Sequence, residues 1–188
     1  MDKQTKWDSR YLDKDFLLEG PDRFLIDSLS LLSKGSVLDL ASGDGRNSIY
    51  LAKNGFNVTA VDFSIEALKR LEKFANNEDI TVKTALCDIT NPKKLSFLGK
   101  FNNILISHYK VDDNILPTLE KMLHSGGSLI YYTFNEEHHR ATGFNHRFCL
   151  KKNELKDKLN LTLSKYESIK VIGDNSSIGY LDGYIFTK

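Results

Sequence analysis

The chain has 188 residues, 40% of them apolar and 27% charged, which is enough to enclose a sizeable core and too apolar for a disordered polymer. Lys plus Arg number 26 against 25 Asp plus Glu, so the net charge is +1 and the basic footprint of a nucleic-acid binder is missing. No apolar run is long enough for a bilayer, the first six residues are polar with no signal-like region behind them, and Cys87 and Cys149 lie too far apart for a CxxC clip, which together predict a cytoplasmic protein with reduced thiols.

Residues 7–15 read as a short polar-aromatic lead-in. Pro21-Asp22 opens a predicted helix over 23–32, with Phe24, Leu25, Leu29 and Leu32 as its apolar stripe and Lys34-Gly35 as its end. A buried-type strand over 36–41 follows, because Val37, Leu38 and Leu40 run into a glycine turn. Residues 46–54 are predicted helical and closed by Gly55. A second strand, 57–62, carries Val58, Ala60 and Val61, and Ser64 is the candidate N-cap of a helix reaching about residue 74. A third strand over 80–86 leads into Cys87-Asp88. Residues 92–98 form a short helical turn, and a fourth strand, 101–107, carries Ile104, Leu105 and Ile106. A helix over 114–123 and a Gly126-Gly127 turn precede a fifth strand, 128–134. The tail is predicted as a helix over 153–159 and two strands, 161–171 and 180–187, joined as an antiparallel hairpin through Asp174-Asn175-Ser176-Ser177. Strands alternating with helices argue for a doubly wound α/β fold, a Rossmann-like sheet that is mostly parallel and ends in that hairpin.

The chemistry concentrates in the stretch VLDLASGDGRNSIYLAKNGFNVTAVDFS, residues 37–64. Glycines in a strand-to-helix turn let a ligand approach the backbone, and an acid at the end of the next strand, about twenty residues on, accepts from a ribose diol. Asp39, Gly43, Gly45 and Asp62 occupy those positions, so the ligand carries a nucleoside. A dinucleotide needs GxGxxG. Here Gly43-x-Gly45 is followed by Ser48, and the register starting at Ala41 meets Arg46 in place of the last glycine, so both registers fail. Asp39 and Asp44 around the turn also disfavour a phosphate and favour a cationic ligand. S-adenosylmethionine, with a sulfonium, an ammonium and an adenosine, meets these requirements.

The same stretch resembles motif I and the following acidic strand of class I S-adenosylmethionine-dependent methyltransferases. KWDSRYLDKDFLLEGPDRFL is similar to the N-terminal cover of a bacterial group that includes the tellurite-resistance and thiopurine-type small-molecule methyltransferases, and ALCDIT, LPTLEKMLHSGGSLIYYTFN and RFCLKKNELKDKL resemble later segments of that group. The resemblance runs from Trp7 to about Leu159, and departs at Ala41, where the family more often has glycine. It implies one methyltransferase domain over 1–188, with 1–33 as a helical cover. It further implies that Asp39 organises the turn and the methionine ammonium, that Ala41, Gly43 and Gly45 line the methionine moiety, and that Asp62 binds the ribose. Phe63 then lies against adenine, Asp88 with the Cys87 backbone beside it contacts the adenine amine, and Ser107 and His108 face the sulfonium and the acceptor.

The expected reaction is methyl transfer to a small-molecule acceptor, with a sulfur, selenium or tellurium nucleophile. Acceptor-side candidates fall in SHYK, residues 107–110, and in FNEEHHRATGFNHRF, residues 134–148. A histidine serves as base near neutral pH and an arginine holds an anion, which selects His108 and Arg147 as catalytic candidates and leaves His138, His139, Arg140 and His146 as neighbours. No closed Cys/His set suggests a metal. Base methyltransferases carry a Pro-Pro-aromatic motif after the fourth strand, which Ser107-His108-Tyr109-Lys110 lacks, so no nucleic acid and no membrane partner is expected, and oligomeric state is left open. The alternatives are a non-catalytic S-adenosylmethionine-binding module and, further behind, a nicotinamide-dependent oxidoreductase.

Overall fold

The structure, a computed structural model, describes residues 2–172 and 178–188. Seven strands form one sheet in the order β3-β2-β1-β4-β5-β7-β6. The strands β1 (Ser36–Leu40), β2 (Asn57–Asp62), β3 (Lys83–Leu86), β4 (Phe101–Ser107) and β5 (Leu123–Phe134) run parallel. β7 (Ile178–Thr187) lies antiparallel between β5 and β6 (Thr162–Ile172). The predicted turn at Asp174-Asn175-Ser176-Ser177 lies outside the described residues.

The central strands β1 and β4 and most of β5 are buried on both faces, as parallel strands in the middle of a sheet are, while the edge strands β3 and β6 are more exposed. Leu38 and Leu40 of β1 point into one layer with Leu95 of α5 (Pro92–Ser96), Leu116, Leu119 and Met122 of α6 (Leu116–Met122) and Leu155 of α8 (Glu154–Lys158). Val37, one residue out of phase, joins the other layer with Phe24 and Leu25 of α2 (Arg23–Ser28) and Leu51 of α3 (Arg46–Lys53). Ile49 of α3 meets Leu71, Phe74 and Ala75 of α4 (Ile65–Asn77) in a third cluster. Among the described residues no helix is long and apolar enough to cross a membrane.

Five elements differ from the sequence expectation, each for a physical reason. Residues 3–12 are a helix, α1 (Lys3–Leu12), rather than a lead-in; the Asp2 carboxylate caps it by accepting from Thr5 N at 2.8 Å. Its stripe is just Trp7 and Tyr11, one turn apart, too short to register as periodicity. The helix expected over 23–32 is α2 followed by a 3₁₀ turn, Leu29–Leu31. β3 starts late because Ile80 N donates to Ala75 O at 3.0 Å, so residues 78–80 finish α4 instead of extending the strand. β5 runs through the expected Gly126-Gly127 turn, and a register shift opposite Phe101 and Asn103 absorbs it. Residues 136–142 add α7 (Glu136–Thr142), capped by Asn135, which accepts from the N–H groups of Glu137 and His138.

Candidate active site

The strand order reverses between β1 and β4, and the crevice beyond their carboxyl ends is where open α/β sheets bind ligands. The turn after β1 crosses that crevice. Ala41, Gly43 and Gly45 all have positive φ, at 55°, 57° and 89°. An L-residue there costs about 1–2 kcal/mol, which accounts for the family's glycine preference at position 41. A Cβ on Gly43 would stand 2.6 Å from the Tyr11 hydroxyl, so the glycine lets α1 close over the turn. A Cβ on Gly45 would meet Leu71 Cγ at 2.3 Å. The absent side chain at Gly45 therefore lets α3 pack closely against Leu71 of α4.

Two acids brace this turn. Asp62, at the end of β2, accepts from Gly43 N and Ser64 N, both at 2.9 Å, and so joins the turn to the start of α4. Burial pushes its carboxyl above the ordinary range against the pull of those N–H groups. Asp39 is buried under the turn and accepts from Ser48 Oγ at 2.6 Å. Burial, aided by the charges of Asp22 and Asp62, pushes Asp39 up to about 7, with the Ser48 hydrogen bond and Arg46 opposing. Ser42 Oγ is buried in the same turn without a hydrogen-bond partner. Asp44, read from sequence with Asp39 as a carboxylate around the turn that disfavours a phosphate, is paired with Lys14 at 2.9 Å and Arg70 at 3.5 Å.

The densest polar cluster centres on Asp22, a residue read from sequence only as a helix opener. It lies between α1 and α2, its side chain 6% exposed. Oδ1 accepts from Arg46 at 2.6 Å and from His108 Nε2 at 3.0 Å; Oδ2 accepts from Asn47 Nδ2 at 2.8 Å and from Ser107 Oγ. Burial works to raise this carboxyl, but the hydrogen bond and charge of His108, with Arg46 and Ser107, overcome it and hold Asp22 at about 2. Ser107 and His108 thus do stand at the end of β4 as expected, tied to the cover segment. His108 has a φ of 53°, and its ring lies edge-on to Tyr132 and Phe134 at 5.5 and 5.3 Å.

On the other side of the crevice, Phe63 is half-buried and Cys87 N donates to Asp62 O at 3.0 Å, continuing the β2–β3 ladder. Asp88 accepts from Thr90 N and Thr90 Oγ1 at 3.0 and 2.7 Å. Thr90, Tyr109, Lys110, Asp112, Arg147 and Phe148 surround a cavity of about 350 Å³. Burial, then Asp112, Asp88 and Asp62, raise the Tyr109 phenol, while Arg147 lowers it, so this ring sits among the acids and Arg147. Arg147 is exposed, over the Phe148 ring at 5.9 Å, and shares no hydrogen bond or ion pair with His108 among the described residues. The two catalytic candidates are not brought together; Arg147 opens on the Tyr109 cavity. His138 instead approaches the His108 side, stacked on Phe134 at 4.4 Å.

A family model described as tellurite resistance protein TehB matches residues 7–182. The chain belongs to the TehB family. Among curated TehB relatives, the probable S-adenosyl-L-methionine-dependent methyltransferase TehB of Haemophilus influenzae strain 10810 is 33% identical over 79 residues, covering 42% of this chain and 28% of that protein. The chain thus spans about a quarter of the curated relatives it matches. The crystal structure of TehB from Haemophilus influenzae superposes with a TM-score of 0.75 at 19% identity, covering all of this chain and 67% of that one. A structure reported for conversion of a disulfide bond into a thioacetal group during echinomycin biosynthesis reaches 0.79 at 15% identity, covering 98% and 92%. The fold is that of class I methyltransferases, as the resemblance implies, and its doubly wound, mostly parallel sheet is the one the alternating elements predict.

Proposed function

We propose that this chain transfers a methyl group from S-adenosylmethionine to a small-molecule acceptor, with sulfur, selenium or tellurium as the nucleophile. The carrying observation is the pair of buried acids, Asp39 and Asp62, bracing a glycine turn at the switch point of the sheet. Such a turn suits a cationic nucleoside and repels a pyrophosphate. The unpartnered Ser42 Oγ supplies a polar group in the same turn. When bound, S-adenosylmethionine supplies an electrophilic methyl group on a sulfonium.

The chain's own residues do the rest. Asp62 has one lone pair on each oxygen committed to the backbone and the others left for ribose hydroxyls. Asp39 balances the ammonium of the methionine end. Phe63 and the Asp88 turn flank adenine, and Ala41 and Gly43 keep the backbone low beneath the methionine. Tyr11 and the segment through Asp22 cover the crevice and exclude water. Much of the acceleration comes from holding the acceptor in line with the methyl group. The probable methyltransferase name of the Haemophilus relative and the sulfur chemistry of the echinomycin neighbour support this reading. Two free thiols, Cys87 and Cys149, fit a reducing cytoplasm.

The test is calorimetric titration with S-adenosylhomocysteine, with NADH as control. The expected result is binding near one site per chain and no heat with NADH. Absence of S-adenosylhomocysteine binding by folded protein overturns the reading. Binding without turnover of any thiol, selenium or tellurium acceptor favours the non-catalytic module.

A further inference from the structure

Asp22 and His108 together have a form that cofactor binding does not require. Arg46, Asn47 and Ser107 already supply donors to both oxygens of the buried Asp22 carboxylate. His108 adds a further donor, yet its side chain stays 34% exposed and its backbone takes the left-handed region that a histidine adopts at a cost. That backbone swings the ring off the end of β4 into the corner formed by Tyr132 and Phe134 of β5, with planes at 84° and 82°. An ionised carboxylate only accepts, so the 3.0 Å contact puts a ring proton on Nε2, and in the neutral imidazole the lone pair is then the one on Nδ1. No described residue donates to Nδ1. This is the arrangement of a base whose tautomer is set by a buried acid.

We propose, on the methyl-transfer reading above, that His108 Nδ1 takes the proton from a protic acceptor while Asp22 positions the ring and balances its charge. The acceptor atom X forms a bond to the methyl carbon as the carbon–sulfur bond breaks. That electron pair returns to the cofactor sulfur, which leaves as a thioether. The X–H proton moves to Nδ1 and then to solvent. The positive charge that disappears from the sulfonium reappears on the imidazolium beside Asp22. The titratable and charged groups around the ring are Asp22 from the cover, Arg46 of α3 through it, the Tyr132 phenol of β5 and His138 of α7 across Phe134.

The walls of this corner name the acceptor class. Tyr132, Phe134, Phe144 and the His138 ring are aromatic, with Phe134 stacked on His138 at 4.4 Å and tilted to Phe144 at 5.0 Å. Burial lowers the His138 pKa, favouring its neutral form. Arg147, the cation suited to an oxyanion, opens on the Tyr109 cavity instead. An apolar-bodied thiol presented in its protonated form fits this corner, and an inorganic oxyanion does not.

The experiment compares wild type, Asp22→Asn and His108→Gln on two thiols. One is an alkanethiol, protonated at neutral pH; the other is a nitro-substituted thiophenol, already ionised. Both variants are expected to bind S-adenosylhomocysteine within about threefold of wild type, since positioning and proton transfer leave cofactor contacts alone. Their kcat should fall about 100-fold or more on the alkanethiol, the scale of general-base catalysis, and less than about tenfold on the thiophenolate. Equal losses on both thiols, or no loss, overturn the dyad while leaving methyl transfer standing. Wild type that binds S-adenosylhomocysteine but methylates neither thiol nor the matching selenol overturns the sulfur–selenium reading and the dyad with it. If Asp22→Asn loses its fold by circular dichroism, His108→Gln, which keeps a donor toward Asp22, decides the question.

Discussion

Asp62 carries two duties that a single substitution can separate. Its oxygens hold Gly43 N and Ser64 N, and the proposed ribose contact adds to these. Asp62→Asn keeps an acceptor for one N–H and loses the charge that a diol prefers. S-adenosylhomocysteine affinity should drop by roughly 1.5–3 kcal/mol, the range for hydrogen bonds to a charged group. Calorimetry giving unchanged affinity would restrict Asp62 to bracing the turn. At this scale the sequence was legible where spacing carries the message: an acid near the end of β1, small residues in the turn and an acid at the end of β2. It was opaque at Asp22. That residue precedes a helix, where an acid is ordinary, and its partners are Arg46, Asn47, Ser107 and His108. Those contacts are brought together by the sheet and leave no local pattern. The pairing of Asp44 was opaque in the same way, since the two cations that neutralise it, Lys14 and Arg70, are also distant in sequence.

Among the elements, α1 and the segment after it stay in place through tertiary contacts, because a ten-residue polar helix is marginal alone. Asp8 of α1 accepts from Ser64 Oγ at 2.6 Å and sits at the positive end of α4. Arg70 of α4 donates to Lys14 O at 2.9 Å and Asp15 O at 2.6 Å, and its guanidinium lies over Phe16 and Phe74 at 5.5 and 5.6 Å. Arg70→Met keeps the stem and loses the donors. Local opening of the cover should become easier by about 2 kcal/mol, from charged hydrogen bonds and stacking that nothing replaces. Hydrogen exchange should quicken in residues 3–16 and stay unchanged in β1 and β4. Uniform acceleration across the sheet would show that Arg70 supports the core rather than the cover. The strands were legible because buried β runs are apolar and bounded by turns. The helices α1 and α7 were not, because capping by Asp2 and Asn135 and packing on neighbours stabilise them without a long apolar stripe.

Across the molecule, two buried acids give stability opposite pH slopes. Asp22, held at about 2 against an ordinary 3.8, contributes stability that is present above about pH 4 and lost as pH falls toward 2. Asp39, pushed up to about 7, acts in the other sense. Between 3.8 and 7 the unfolded chain has released a proton that the folded chain keeps, so stability falls as pH rises through that window and levels above it. Asp39→Asn removes this second slope. The variant should gain on the order of 1–3 kcal/mol over wild type at pH 8 and little at pH 4, read from urea unfolding at both values. The cofactor reading adds a linked consequence. A ligand ammonium placed near Asp39 favours the carboxylate, so binding expels the proton that burial had retained. Titrations of S-adenosylhomocysteine near pH 6.5, in buffers of different ionisation enthalpy, should therefore show proton release in wild type and markedly less in Asp39→Asn, together with weaker binding by the variant. Proton release that persists undiminished in Asp39→Asn would assign the titrating group elsewhere. If instead the variant gains stability and keeps full affinity, the acid under the turn is a folding liability with no part in holding the ligand. On the proposed cofactor reading, a ligand cation near Asp39 is what offsets the cost of keeping a carboxyl so far from its preferred charge.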